Sequence, residues 1–243
     1  MTNELQIICL GSGSSGNCYL LGKGDEFIMV ECGLPFKTII KRMASYDIGL
    51  EQIKAVCISH CHKDHALEID TFKNLNLPVF APYIDDVPIE KPVRLTDWMQ
   101  VFAFKVFHDV PCYAFIFYTS DNESLLFATD TRHLDSIYLD KRFKYNYIMI
   151  ECNHIRKQLE AIMDKALMEG DEGRVFKFKR QASFHLSLYG VKKTLRSMDL
   201  SETKAIFLLH LSKDCCNDAL VKNEVEYATK IKTFVCYSEG RIN

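Results

Sequence analysis

The sequence lacks the features that define several classes of protein. No apolar run approaches the roughly 18 uncharged residues of a membrane-spanning helix, and the N-terminal residues show no basic region or cleavage site of a secretion signal. Internal repeats, low-complexity tracts and Cys-x-x-Cys pairs are also missing, and the last absence argues against a structural zinc ribbon. Neither charge dominates, because 30 Lys and Arg oppose 32 Asp and Glu. The net charge of −2 therefore gives no sign of a nucleic-acid-binding surface.

What is present indicates a globular α/β protein. The 243 residues are 48% apolar and 26% charged, which excludes a disordered chain and allows a substantial core. Strand-like and helix-like runs alternate without a clear linker, so we expect a single domain over residues 1–243. Ten cysteines lie mostly inside apolar runs, as Cys9, Cys57 and Cys236 do. We expect reduced, buried thiols, a cytoplasmic location and no membrane association.

Potential metal ligands or acids follow five of the predicted strands. These residues are His60, His108, Asp130, Glu151 and His210. Ligands of open α/β sheets bind at the carboxyl ends of the strands, and buried strands place side chains rigidly. The pattern predicts a functional site at that edge.

The segment His60-Cys61-His62-Lys63-Asp64-His65 concentrates this chemistry. His60 and His62 are two residues apart in an extended segment, so both can bind one ion, while Asp64 and His65 can bind a second. Imidazole and carboxylate ligands suit Zn²⁺, Mn²⁺ or Fe. A charged surface turn is the alternative interpretation, but three histidines and an aspartate within six residues favour a metal site. Two ions need further ligands, for which the strand ends supply His108, Asp130 and His210, with Asp130 as the natural bridging carboxylate.

These motifs resemble the metallo-β-lactamase superfamily, whose signature is His-x-His-x-Asp-His followed by His, Asp and His. Four further blocks resemble its WalJ (YycJ) branch: residues 10–17 (LGSGSSGN), 151–154 (ECNH), 185–187 (HLS) and 210–213 (HLSK). The resemblance covers nearly the whole chain. It implies an αββα four-layer sandwich with a dinuclear site for two divalent ions, Zn²⁺ or Mn²⁺, and a nuclease that acts on DNA.

The resemblance also implies roles for individual residues. His60, His62 and His108 would hold metal one; Asp64, His65 and His210 would hold metal two; Asp130 would bridge them. Glu31 stands where the superfamily usually has Asp, and would orient the histidines. The two ions would activate a bridging hydroxide, which Asp64 could orient. His185 is the first candidate for proton donor and His154 the second, and a buried or helix-capping role stays open for each.

Substrate contacts are predicted at two places besides Asn153. The glycine-rich loop 11–17 could present Ser14, Ser15 and Asn17 to a phosphate, or could simply join the first two strands. Four positive residues, interleaved with Phe176 and Phe178, could follow a nucleic-acid backbone or form an ordinary amphipathic edge strand. They are Arg174, Lys177, Lys179 and Arg180.

Departures from the branch keep the substrate open. Ile155 stands where the WalJ pattern has Asp, Phe184 replaces the glycine before His185, and a glycine common after the histidine cluster is missing from residues 66–69. The sequence favours a phosphodiesterase that acts as a DNA exonuclease. The alternative is a phosphodiesterase of small substrates, such as a phage-type enzyme that degrades cyclic-nucleotide immune signals. A non-catalytic binding module and thioester or β-lactam hydrolysis are weaker readings, and a homodimer in which a second copy covers the site stays open.

Overall fold

The computed structural model of the chain describes residues 4–85, 91–134, 143–240 and 242. The chain divides into two compact units. Unit 1 consists of Met1–Lys105, Val110–Glu123 and Cys236–Asn243, and unit 2 of Val106–Asp109 and Ser124–Val235. The expectation of one domain over residues 1–243 stays a prediction.

A five-stranded sheet forms the first part of unit 1. Its strands are β1 (Gln6–Gly11), β2 (Cys18–Lys23), β3 (Glu26–Val30), β4 (Ile53–Cys57) and β5 (Val79–Phe80). They lie in that order, with β1, β2 and β3 antiparallel and with β3, β4 and β5 parallel. Loop 11–17 therefore joins two antiparallel neighbours. Parallel pairing of β3 with β4 places their carboxyl ends, where Glu31 and His60 follow, at one edge.

Three more strands and four helices complete unit 1 in the described residues, except that Val106, the last residue of the strand over residues 99–106, belongs to unit 2. The strands are β6 (Val93–Arg94), β7 (Met99–Val106) and β8 (Cys112–Thr119). The helices are α1 (Phe36–Ala44), α2 (Lys63–Ala66), α3 (Ile69–Asn74) and α4 (Pro82–Asp85), and a 3-10 turn covers Leu50–Gln52. Helix α1 buries Ile39 and Met43, which are four residues apart and share a face.

Parallel strands and long helices form unit 2. Strands β9 (Ser124–Ala128), β10 (Tyr147–Glu151), β11 (Ala205–Leu209) and β12 (Thr233–Val235) lie in the order β12-β11-β10-β9, all parallel. The helices are α5 (Arg156–Met168), α6 (Glu172–Phe184), α7 (Leu188–Ser197) and α8 (Asp218–Thr229). All residues of β9 and β11 are buried, as expected for parallel strands covered on both faces.

Helix α6 corrects one of the sequence interpretations. Residues 174–180 are helical, so the edge-strand interpretation of the basic segment is wrong. Asp171 caps the helix, since its side chain accepts a hydrogen bond from the backbone N–H of Arg174. Phe178 is 1% exposed whereas Phe176 is 70% exposed, so the two rings do not share a surface.

None of the helices in the described residues combines the length and apolar character that crossing a membrane requires.

Candidate metal centre

In unit 1 the histidine cluster follows β4 and turns into the short helix α2. The Nε2 atom of His60 lies 2.9 Å from Nδ1 of His62, and Nε2 of His65 lies 3.6 Å from a carboxylate oxygen of Asp64. Both separations are short enough for one ion, which lies about 2.0–2.2 Å from nitrogen and carboxylate ligands of Zn²⁺. The cluster therefore presents two ligand pairs, the same two that the spacing predicts.

A buried carboxylate supports this cluster from the end of β3. Glu31 is fully buried and accepts hydrogen bonds from the backbone N–H of Ser59, at 3.3 Å to each oxygen. One of its oxygens lies 3.6 Å from Nδ1 of His65. Glu31 thus contacts both the chain that leads into His60 and the ring of His65.

The glycine-rich loop also contacts the cluster. The Asn17 amide donates to the Asp64 carbonyl oxygen at 3.1 Å and lies 3.0 Å from Nε2 of His65, and Asn17 is fully buried. Asn17 therefore holds residues 64–65 in place, and its burial leaves it no surface for contact with a substrate. Ser14 and Ser15, by contrast, are exposed at the tip of the loop.

In unit 2 three parallel strands bring ligand residues to one edge. Asp130, Glu151 and His210 lie at or just beyond the carboxyl ends of β9, β10 and β11. The Nδ1 atom of His210 is 3.1 Å from Asp130 and 3.0 Å from Glu151. The edge that the sequence pattern predicts is thus observed for these three residues.

His185 completes this group from the end of α6. Its Nδ1 lies 2.6 Å from an oxygen of Glu151, whose second oxygen accepts from the backbone N–H groups of Leu186 (3.0 Å) and Thr131 (3.2 Å). Burial acts to lower the pKa of His185, but the carboxylates of Glu151 and Asp130 outweigh it, and the pKa is raised. Burial opposes ionisation of Glu151, yet contacts with His185 and His210 leave the pKa of Glu151 lowered. The pair thus favours a charged carboxylate and a protonated imidazole.

His108 follows β7 and contributes a neutral imidazole. Its side chain is buried, and burial lowers its pKa despite the nearby carboxylates of Asp130 and Asp109. Its Nε2 atom is 3.6 Å from Asp130. A neutral, buried imidazole beside a carboxylate is the form in which histidine binds a metal.

The donor set of unit 2 fits a divalent ion. Asp130, Glu151, His185 and His210 each offer a ligand atom, and these atoms all lie within 4.8 Å of one another. All four residues are buried. Buried imidazole and carboxylate groups together match Zn²⁺, Mn²⁺ or Fe. Of these four residues, the sequence predicts only Asp130 and His210 as metal ligands.

Two other predicted site residues have positions that favour structural roles. Burial lowers the pKa of His154 to about 4, so this histidine is neutral at pH 7 and a poor proton donor. Asn153 is buried, donates to the His210 carbonyl oxygen at 2.9 Å and accepts from the Gln181 amide. Asn153 therefore positions the backbone of His210.

The basic residues of α6 are mostly engaged in ion pairs. Arg174 contacts Glu169 at 3.0 Å, Lys177 contacts Asp214 at 2.7 Å, and Arg180 contacts Asp109 at 2.6 Å. Lys179 lies apart from these pairs, beside an apolar surface that includes Leu167 and Phe176.

The contact between Glu151 and His185 was not predicted from the sequence. The pattern indicates a strand-end acid at Glu151 and a candidate proton donor at His185, but it does not pair them. The block Glu151-Cys152-Asn153-His154 carried a usable signal, because an acid at the end of a fully buried strand requires a partner.

Comparisons with known proteins agree with these motifs. Residues 11–79 match the model of the metallo-beta-lactamase superfamily. The chain is 23% identical over 251 residues to exodeoxyribonuclease YycJ of Bacillus anthracis, covering 95% of this chain and 91% of that protein. It is 24% identical over 229 residues to exodeoxyribonuclease WalJ of Streptococcus pneumoniae serotype 2, covering 84% and 81%. The crystal structure of the metallo-beta-lactamase fold protein YhfI from Bacillus subtilis superposes with a TM-score of 0.74 at 16% identity, covering 100% of this chain and 99% of that one.

The resemblance to the metallo-β-lactamase superfamily and its WalJ branch is therefore confirmed, and the fold is the α/β metallo-β-lactamase fold. Fold and donor set identify a metal-dependent hydrolase.

Proposed function

We propose that this chain is a dinuclear metal-dependent phosphodiesterase that acts as a DNA exonuclease. The observation that carries the proposal is the group in unit 2, where Asp130 and His210 lie beside the 2.6 Å pair of Glu151 and His185. Proposed metal ligands next to an imidazole that a carboxylate holds in place are what phosphodiester hydrolysis needs, because the attacking water must be activated and the leaving oxygen must be protonated.

The proposed ligands are those that the family resemblance implies: His60, His62 and His108 for one ion, Asp64, His65 and His210 for the other, and Asp130 for both. When bound, the two ions would supply a water activated at neutral pH and positive charge opposite the reacting phosphate. Zn²⁺ and Mn²⁺ both suit these ligands.

His185 is the proposed proton donor. Glu151 holds its Nδ1 atom, which fixes the orientation of the ring and leaves Nε2 as the nitrogen that can protonate the leaving oxygen. Asp64 is proposed to orient the attacking water. Its side chain is 27% exposed, so it has the solvent access that this role requires.

The DNA substrate is proposed from the two exodeoxyribonucleases that the chain resembles along most of its length. A small substrate such as a 3′,5′-cyclic nucleotide is the alternative. Two observations favour keeping it, since the net charge is −2 and three basic residues of α6 are already in ion pairs.

A cytoplasmic location belongs to the same proposal. All ten cysteines lie in the described part of the chain, and none of them forms a disulfide, as in a reducing compartment.

The first test is a substrate panel with Mn²⁺ or Zn²⁺. Purified protein is incubated with end-labelled single- and double-stranded DNA, RNA and 3′,5′-cyclic nucleotides, with EDTA as the blank. Stepwise release of deoxynucleotides supports the proposal, and hydrolysis of cyclic nucleotides alone supports the alternative. Asp130→Ala should reduce turnover at least 10³-fold and lower the bound metal measured by mass spectrometry. Asp97→Ala, which changes an exposed carboxylate in unit 1, is the matched control.

The role of His185 has its own test, based on the leaving group. p-Nitrophenolate leaves without protonation, whereas a nucleoside alkoxide needs a proton. His185→Ala should therefore cost about 10²–10⁴-fold with DNA and much less with bis-p-nitrophenyl phosphate. Equal losses with both substrates would show that His185 does not donate the proton.

A further inference from the structure

Three aromatic side chains of unit 2 form a ladder directly beside the proposed proton donor. The Phe107 ring is nearly parallel to His133, with centroids 5.3 Å apart at 20°, and nearly parallel to Phe184, with centroids 6.1 Å apart at 18°. We call Phe184, Phe107 and His133 the aromatic ladder. Phe107 is 46% exposed and His133 is also exposed, so the ladder reaches the surface.

The backbone holds the ladder in position. The Arg132 N–H donates to the Phe107 carbonyl oxygen at 3.2 Å, and the Thr131 hydroxyl donates to the His133 carbonyl oxygen at 2.8 Å. Thr131 in turn donates its N–H to Glu151. The position of His133 is thus linked through the backbone to the carboxylate that holds His185.

The ladder begins at the reacting groups. Phe184 immediately precedes His185, and its ring lies edge-on to His108 with centroids 5.9 Å apart. His108 and His185 are themselves 5.5 Å apart. The rings therefore extend from the proposed proton donor and a proposed metal ligand toward the surface.

Phe107 leaves 46% of its surface in contact with water, and Phe184 stands where the WalJ pattern has glycine. Exposed aromatic rings are the surfaces on which single-stranded nucleic acids stack their bases, without preference for sequence.

We propose that the aromatic ladder is a subsite for a nucleobase of the nucleotide that flanks the reacting phosphodiester. This rests on the proposed phosphodiesterase function and deepens it. The base stacks on the exposed parts of the Phe107 and His133 rings, and this contact places the leaving oxygen at His185. The ladder therefore distinguishes nucleotide substrates from phosphodiesters without bases.

The test compares two single-stranded DNA substrates that differ only in their bases. In one, the two nucleotides at each end carry bases; in the other, the same positions are abasic tetrahydrofuran residues. Phe107→Leu should lower kcat/KM for the base-bearing strand about 5- to 30-fold, which is about 1–2 kcal/mol at 1.36 kcal/mol per tenfold. For the abasic strand the change should be less than twofold. Phe107→Trp should retain the preference, and Tyr227→Leu, an exposed aromatic of α8, is the matched control.

A binding measurement separates stacking from catalysis. Strands with 2-aminopurine at either terminal position are added to protein in EDTA, where no turnover occurs. Stacking quenches the fluorescence, and quenching should be lost in Phe107→Leu but kept in Tyr227→Leu. Quenching that persists in Phe107→Leu, or equal kinetic losses with both strands, would overturn the subsite. Failure of the unmodified protein to hydrolyse any phosphodiester would instead overturn the proposed function, and the subsite with it.

Discussion

Glu151 organises unit 2 through a single carboxylate. One oxygen contacts the Nδ1 atoms of His185 and His210, and the other accepts two backbone N–H groups, from Leu186 and Thr131. A fully buried carboxylate costs free energy unless it is paired and hydrogen-bonded, and Glu151 is both. This one side chain therefore fixes the proposed proton donor, a proposed metal ligand and the segment that bears Asp130.

His154 provides a test of stability against pH. Burial depresses its pKa from 6.5 to about 4 in the folded protein, so between these values the unfolded chain binds more protons than the folded one. Stability should fall as the pH is lowered through this window, with a contribution from His154 of about 2–3 kcal/mol between pH 7 and pH 4.5. In His154→Gln that part of the decline should be missing, as measured by urea unfolding in EDTA at both pH values. Parallel declines in the two proteins would contradict the assignment.

The local geometry of the candidate site was predictable from the sequence, whereas its long-range contacts were not. The spacing of His60, His62, Asp64 and His65 predicted two ligand pairs, and the structure contains both, because a few adjacent residues determine such local geometry. The roles of Asn17 and Asn153 were not predictable in the same way. Their contacts reach residues 47 to 57 positions away, which no local pattern encodes.

At the level of elements, three residues that follow strands have left-handed backbone conformations. Glu31, Asp130 and His210 all have positive φ, at 64°, 48° and 53°. Left-handed backbone is unusual for residues other than glycine and costs of order 1 kcal/mol or more. Each of these residues follows a buried strand, so the turn redirects its side chain from the sheet toward the ligand groups of its own unit.

Gly33 lies in one of these turns and offers a sharp mutational test. A Cβ atom at this position would lie 1.8 Å from the Asp64 carbonyl oxygen and 2.6 Å from the His65 backbone nitrogen. Gly33→Ala should therefore displace residues 64–65, destabilise the protein by at least about 1–3 kcal/mol and weaken metal binding. Both effects are measurable by denaturant titration and by metal content after dialysis.

Gly173→Ala is the matched control for that substitution. Gly173 lies within α6, and the nearest atom to its added Cβ is 3.5 Å away. Alanine has the higher helix propensity, so this variant should be unchanged or more stable by up to about 1 kcal/mol. If Gly33→Ala behaved like Gly173→Ala, the close approach of residues 33 and 64 would not matter for the cluster.

The prediction of elements succeeded where burial and periodicity agreed and failed at α6. The strand-like runs that lead to His60, His108, Asp130, Glu151 and His210 are all strands in the structure, with ends shifted by at most two residues, since buried β-branched runs give a strong signal. In residues 174–180 the alternation of Phe and basic residues is typical of a strand. The segment is nevertheless helical, because Asp171 caps the helix and lysine favours helical structure. Strands β5 and β6 have two residues each, too few for any periodicity.

At the scale of the molecule, charge is the property that most constrains the substrate. The net charge is −2, and three of the four basic residues between 174 and 180 are paired with acids. The basic segment of α6 therefore has few free cations for phosphate contacts, and the proposed DNA binding relies on the proposed metal ligands and on stacking instead. Binding that relies on few phosphate contacts releases few counterions and responds weakly to salt.

The resulting prediction concerns the salt dependence of DNA binding. The association constant is measured by fluorescence anisotropy with single-stranded DNA and a non-catalytic ion such as Ca²⁺, over a range of salt concentrations. When its logarithm is plotted against the logarithm of the salt concentration, the slope should be no steeper than about −3. Lys179→Gln tests the one member of the basic segment outside the three ion pairs described above. If Lys179 contacts a phosphate, its loss should reduce the slope by about 0.7, the contribution of a single contact on single-stranded DNA. A slope of −6 or steeper would instead require a broad basic surface, and the basic segment of α6 would then have to exchange its ion pairs for phosphate contacts on binding.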